Sequence, residues 1–341
     1  MTSTTDGPAG STPAAGPLPC SGQLDPLYAA RLHLVDGLPV PSLLAPPDTP
    51  EQAERRAAWD APFGPADLPE VRAWDATVSG PHGPVPIRVY RPLRDAVGLR
   101  PALLWLHGGA WVFGDLEMPE GDHTARRVAD LADAVVVAVD YRLALGGVHY
   151  PVPNDDCWAV YQWLREQARE LGVDVRRIAV GGASAGGALA GSVILRGVDA
   201  GISPWQALLV YPACHADVPT HISDELMATL ARTPEALLFG HDESFTLNYL
   251  GGPIASATGD AFPSLAESLA DFPPTYIENA EFDSLRASGE AFAAQLTAAG
   301  VEVELVTACG VPHGHLNDVG LPQAVQTCER LARRLTAPAA S

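Results

Sequence analysis

The chain alternates between short apolar runs and stretches in which apolar residues recur every three or four positions, a pattern that predicts an α/β fold. Residues 71–78 and 85–89 place apolar side chains at alternate positions around Pro81-His82-Gly83-Pro84, and predict two antiparallel strands joined by a turn. Apolar stretches at 102–106, 134–139 and 177–180 and further candidates at 205–211 and 275–278 read as strands, and 301–306 alternates as one more. Helical periods fall between them, one near 124–131 and a long one from about 154 to 171. In the long one, Cys157, Val160, Tyr161, Leu164, Ala168 and Leu171 share a face, and Asn154 after Pro153 reads as its cap. A third runs on from Leu285 through Phe292 and Leu296.

The same pattern divides the chain. Residues 1–22 are rich in Pro, Gly, Ala, Ser and Thr and predict a disordered tail. Residues 23–65 mix leucines with prolines and then a helix-favouring run at 51–58, and 66–338 carry the strand and helix alternation of one domain. About sixty residues separate the strand at 205–211 from that at 275, more than a usual connection, so an insertion is expected at about 215–255. It contains Met227, Leu230, Leu237, Leu238, Phe239, Phe245, Leu247 and Tyr249, with Thr233-Pro234-Glu235 as a helix-start signal.

Composition narrows the picture. With 341 residues, 47% of them apolar, the chain can bury one large core. Its 41 acidic residues outnumber 21 basic ones, all arginine, and the net charge of −20 repels phosphate backbones and anionic lipid, excluding nucleic acid as an expected partner. Five cysteines without a C-x-x-C pair fit a reduced compartment, and their odd number leaves at least one unpaired within the chain. No basic n-region or apolar h-region opens the chain, and no apolar run approaches the ~20 residues needed to span a bilayer. The expectation is a soluble, cytoplasmic protein without membrane insertion.

Chemistry concentrates at Gly182-Ala183-Ser184-Ala185-Gly186, between the strand at 177–180 and a small-residue helical stretch. A serine flanked in this way can sit on a strained turn with its hydroxyl exposed, because the glycines let strand and helix approach closely. Such a serine needs a histidine to accept its proton and a carboxylate to orient that histidine. Asp283 stands at the junction after the strand at 275, and His313 after the strand at 301–306, so all three groups fall beyond the carboxyl ends of predicted parallel strands. Upstream, the strand at 102–106 runs into His107-Gly108-Gly109-Ala110, whose backbone N–H groups can stabilise charge developing on a carbonyl oxygen. Gly108, Gly109 and Ala185 are the expected donors, and His107 itself reads as structural. Tyr141 and Arg142 read as a buried polar scaffold that holds these loops. A His313-x-His315 pair also has metal-ligand spacing, but no other His or Cys cluster supports it.

These residues resemble the hormone-sensitive-lipase-like carboxylesterases of the α/β-hydrolase fold. The family's H-G-G-G loop appears as His107 to Ala110, its D-Y-R-L-A-P segment as Asp140 to Leu145, and its G-D-S-A-G-G elbow as Gly182 to Gly187. Its D-P-L and H-G-F motifs appear as Asp283-Ser284-Leu285 and His313-Gly314-His315, so the likeness runs from roughly residue 70 to the C-terminus. It implies a mostly parallel sheet flanked by helices, a cap built from the N-terminal segment and the insertion, and a catalytic triad of Ser184, Asp283 and His313. It also implies a small-molecule ester of short or medium chain as substrate and neither metal nor organic cofactor. A second copy of the chain is the macromolecular partner left open. Lactones, amides and thioesters pass through the same tetrahedral intermediate, and relatives on this fold include dehydratases and hormone receptors, so these readings stay open beside esterolysis. The sequence departs from the pattern at Ala110, which keeps its N–H, and at Ala183, Ser284, Leu145-Gly146-Gly147 and His315.

Overall fold

A computed structural model describes residues 20–36, 49–217, 222–234, 237–238 and 243–336. Its strands are β1 (Val71–Gly80), β2 (Gly83–Pro92), β3 (Arg100–Leu106), β4 (Val135–Val139), β5 (Val173–Ala183), β6 (Ala207–Val210), β7 (Thr275–Phe282) and β8 (Val303–Pro312). They form one sheet in the order β1-β2-β4-β3-β5-β6-β7-β8. β2 runs antiparallel to both β1 and β4, and the pairs from β4 onward are parallel. The helices described are α1 (Pro26–Ala29), α2 (Leu32–Val35), α3 (Pro50–Trp59), α4 (Pro119–Ala132), α5 (Val152–Glu166), α6 (Ala168–Leu171), α7 (Ala185–Asp199), α8 (Asp224–Leu230), α9 (Glu243–Leu250), α10 (Arg286–Ala298) and α11 (Pro322–Thr336). The chain has the α/β-hydrolase architecture expected of it.

Strand β3 shows why its run is continuously apolar. Leu103 and Trp105 pack with Ala125, Val128 and Ala129 of α4 and with Leu331 and Leu335 of α11 on one face. Ala102, Leu104 and Leu106 pack on the other face with Cys157, Val160 and Tyr161 of α5 and with Leu189 and Val193 of α7. Successive side chains point to opposite faces, so a strand covered on both sides favours apolar residues at every position.

Several boundaries differ from the sequence reading. The long helix breaks at Gln167 into α5 and α6, and it starts at Val152, so Asn154 lies within its first turn and does not cap it. Asn154 instead donates to Asp260 O at 3.0 Å and accepts from Tyr249 Oη at 2.7 Å. Strand β8 continues through Cys309 to Pro312, which the sequence assigned to a loop, because Phe282 pairs with Pro312 beyond an irregularity in the register. Thr233 Oγ1 donates to Thr229 O at 2.9 Å just past the end of α8, and Glu235 and Phe239 lie outside the described residues.

The N-terminal segment is tied to the sheet earlier than expected. Residues 1–19 of the predicted tail lie outside the described residues, but Cys20 is disulfide-bonded to Cys309 and Gly22 N donates to Glu281 Oε1 at 3.0 Å. This bond departs from the expectation of a reduced cysteine set; a separation of 289 residues gives no local signal for it. Cys157, Cys214 and Cys328 are free and buried. No helix among the described residues is long and apolar enough to cross a membrane.

Candidate active site

Strand β5 ends at Ala183 and α7 begins at Ala185, leaving Ser184 alone at the turn. Its φ of 53° and ψ of −120° are unfavourable for a residue with a Cβ. Backbone bonds hold it there: Ser184 N donates to Val210 O at 3.0 Å, and its carbonyl accepts from Gly187 N at 2.9 Å and Ala213 N at 3.1 Å. A Cβ on Gly182 would stand 2.3 Å from Gly186 O, and one on Gly186 would stand 2.1 Å from Leu106 O. The elbow therefore requires glycine on both sides of the serine.

The three residues expected to act together do meet. His313 Nε2 lies 2.9 Å from Ser184 Oγ, and His313 Nδ1 lies 2.7 Å from Asp283 Oδ2. The second oxygen of Asp283 accepts from Leu285 N at 2.9 Å, which fixes the carboxylate, and the Tyr211 ring packs edge-on against the imidazole at 4.8 Å. Burial pulls the His313 pKa down, but the charge and hydrogen bond of Asp283 and the charge of Glu120 outweigh it, so the net shift is upward.

His315 turns elsewhere. It is fully buried, with Nε2 3.0 Å from Thr327 Oγ1, and Thr327 in turn donates to Glu278 at 2.6 Å. Burial lowers its pKa to about 4, against the charge of Glu278. The two histidines thus face different partners and do not form a ligand pair. Among the described residues, Cys20, Glu281 and Cys309 group their donor atoms closely enough for a metal ion, but the two sulfurs are bonded to each other.

The oxyanion loop needs one correction. The Gly108 N–H donates to Oε1 of buried Glu120, so it is already engaged by a carboxylate and is not open to substrate. The N–H groups of Gly109, Ala110 and Ala185 have no hydrogen-bond partner among the described residues. His107 is structural as expected: it is buried, stacks on Tyr141 at 4.4 Å, and its carbonyl accepts from Tyr141 Oη at 2.8 Å. Arg142 pairs with buried Asp156, which also fits the scaffold reading.

Glu120 is the residue that the sequence did not reveal. Besides Gly108 N–H, it accepts from Tyr211 Oη at 2.5 Å and from Asn317 Nδ2 at 3.4 Å, and so joins the glycine loop to the segment after His313. Burial raises its pKa, opposed by the hydrogen bonds from Tyr211 and Gly108 and by His313. In sequence it is one acidic residue in the first turn of a helix, and such residues are common there for the sake of the helix dipole alone.

A cavity of about 240 Å³ opens beside Ser184 and His313. Trp59, Phe113, Met118 and Leu237 supply apolar wall, and Tyr28 and Asp318 supply polar wall. Of the apolar residues expected from the insertion, Leu237 reaches this cavity. Tyr249 instead stacks on Trp111 at 4.3 Å in the core, and Met227 and Leu247 are exposed.

Fold and site together define an enzyme of the α/β-hydrolase class. A family model described as alpha/beta hydrolase fold matches residues 103–317. The chain is 36% identical over 284 residues to Esterase LipI of Mycobacterium tuberculosis, covering 82% of this chain and 86% of that protein. It is 30% identical over 334 residues to the Ethyl acetate hydrolase of Pseudomonas putida, covering 90% and 99%. Among solved structures, the hyperthermophilic esterase of the archaeon Pyrobaculum calidifontis superposes with a TM-score of 0.76 at 32% identity, covering 92% of this chain and 98% of that one. The chain belongs to the hormone-sensitive-lipase-like family of α/β hydrolases.

Proposed function

We propose that this protein is a carboxylesterase that hydrolyses small esters of short or medium chain through an acyl-enzyme on Ser184. The observation that carries the reading is the unbroken hydrogen-bonded line from Asp283 through His313 to Ser184, at 2.7 and 2.9 Å, beside a cavity of small-molecule size. Ser184 Oγ attacks the ester carbonyl while His313 Nε2 takes its proton, and Asp283 stabilises the imidazolium. The developing oxyanion is held by the N–H groups of Gly109 and Ala185, with Ala110 standing where Gly108 was expected to serve. His313 returns the proton to the departing alcohol, then activates a water that attacks the acyl-enzyme and frees the acid. No step calls for a cofactor.

The cap reading keeps its support. Tyr28 and Trp59 come from the N-terminal segment and Leu237 from the insertion, so both segments contribute walls to the cavity. A homodimer and a cytoplasmic location are further proposals, tested by sedimentation and by fractionation of the cells that make the protein.

Incubation with a fluorophosphonate and with p-nitrophenyl esters of increasing acyl length tests the central reading. We expect adduct mass at Ser184 and turnover of the shorter esters, both abolished in Ser184→Ala. A folded protein that takes no label and turns over no ester would overturn it in favour of a dehydratase or receptor.

A further inference from the structure

The cavity beside Ser184 is not a plain alkyl slot. Asp318 lies on its wall, brought there by the turn of residues 315–317 that follows His313. One carboxyl oxygen accepts from Tyr28 Oη of the N-terminal segment; the other has no hydrogen-bond partner among the described residues. Asp60 lines the same cavity, and Arg56 pairs with it at 2.9 Å, so that guanidinium is already turned to a carboxylate. An alkyl chain filling this space would cover the open oxygen of Asp318 without replacing its bond to water, and burying an unpaired acceptor is costly.

On the reading that Ser184 is the nucleophile, we propose that Asp318 makes this enzyme selective for esters whose chain carries a hydrogen-bond donor, a hydroxyl or a protonated amine, away from the reacting carbonyl. The donor bonds the open carboxyl oxygen of Asp318, while Trp59, Phe113 and Leu237 enclose the carbons that lead to it. Burial, reinforced by the charge of Asp60 and opposed by Tyr28 and Arg31, raises the Asp318 pKa to about 7. Above that pH the group is a carboxylate whose open oxygen accepts; below it that oxygen can carry the proton and donate, so the selectivity is expected on the alkaline side of about 7. Such a group discriminates best against a chain that leaves it unpaired.

The test compares matched ethyl esters by acid release at a constant pH of about 8, where Asp318 is ionised: butanoate with 3-hydroxybutanoate, hexanoate with 6-hydroxyhexanoate and with 6-aminohexanoate. A parallel series of alkyl and hydroxyalkyl acetates asks the same of the alcohol side. We expect kcat/KM to favour a donor-bearing member by about tenfold in at least one series, the effect of one hydrogen bond to a charged group. In Asp318→Leu that ratio should invert. Asp318→Asn, which still accepts from Tyr28 but has lost the charge, should give an intermediate ratio. A carboxylate that served only to tie down Tyr28 would lower both members of a pair in parallel and leave the ratio unchanged, and that result overturns the proposal, as does equal use of all pairs by the native enzyme. Fluorophosphonate labelling of Ser184 in the same preparations separates this failure from failure of the nucleophile assignment.

Discussion

His313 can act as a base only while its Nε2 is unprotonated, and the upward shift of its pKa moves that condition to higher pH. The sign follows from the partners: Asp283 at 2.7 Å and the nearby charge of Glu120 favour the imidazolium more than burial disfavours it. kcat/KM should therefore fall on the acid side with a midpoint above the ordinary histidine value of about 6.5. A profile flat from pH 5 to 8 would contradict the assignment of His313. Asp283→Asn leaves the shape in place but permits the wrong tautomer, and kcat should drop about 10⁴-fold. Glu120 can be separated from the triad by two substitutions. Glu120→Gln keeps an acceptor for Gly108 N–H and removes the charge, so the acid limb should move to lower pH. Glu120→Ala also strands the buried N–H, at a cost of about 1–3 kcal/mol, and kcat should fall as the glycine loop loses its anchor. Identical pH profiles in the native enzyme and Glu120→Gln would exclude the electrostatic part of this role.

At the scale of elements, the strand-turn-helix unit around Ser184 depends on two backbones meeting where no Cβ fits. Gly186→Ala forces a methyl to within 2.1 Å of Leu106 O, a backbone atom that cannot swing aside, so α7 must shift off β3. We expect the unfolding free energy to fall by at least about 2 kcal/mol and labelling of Ser184 to slow; an unchanged free energy would mean that the elbow tolerates the shift. This unit was legible because its requirements are local: an apolar run, small residues, a serine between glycines. The central strands were legible for a related reason, since burial on both faces leaves a continuous apolar trace. Their ends were not. Strand β8 extends to Pro312 because β7 offers it a partner beyond an irregular step, and nothing in Cys309-Gly310-Val311-Pro312 itself records that partner. The Gly108 donor was misassigned for the same reason: the carboxylate that occupies its N–H arrives from a different element, and only the folded arrangement shows the two in contact.

Across the whole molecule, the N-terminal segment works as a strap fastened to the far edge of the sheet. Cys20 bonds to Cys309, Asp25 N donates to Gly310 O at 2.8 Å, and Glu281 accepts from both Gly22 N and Gly310 N, at 3.0 and 2.7 Å. The strap then carries Tyr28 to Asp318 and α3 brings Trp59 to the cavity, so the same segment that is fixed at Cys309 forms part of the substrate wall. Closing a loop of this length removes entropy chiefly from the unfolded chain, an effect of about 2–4 kcal/mol in typical cases. Cys20→Ser should therefore lower the unfolding free energy by an amount in that range, read as a lower denaturation midpoint. Because the strap shapes the cavity without touching the triad, KM for a hexanoate ester should rise more than kcat falls. An unreduced peptide map of the native protein should contain the Cys20–Cys309 cross-linked peptide. If that peptide is present and reduction changes neither the midpoint nor KM, the remaining backbone bonds to Gly310 and Glu281 hold the strap by themselves, and the disulfide contributes nothing to the site.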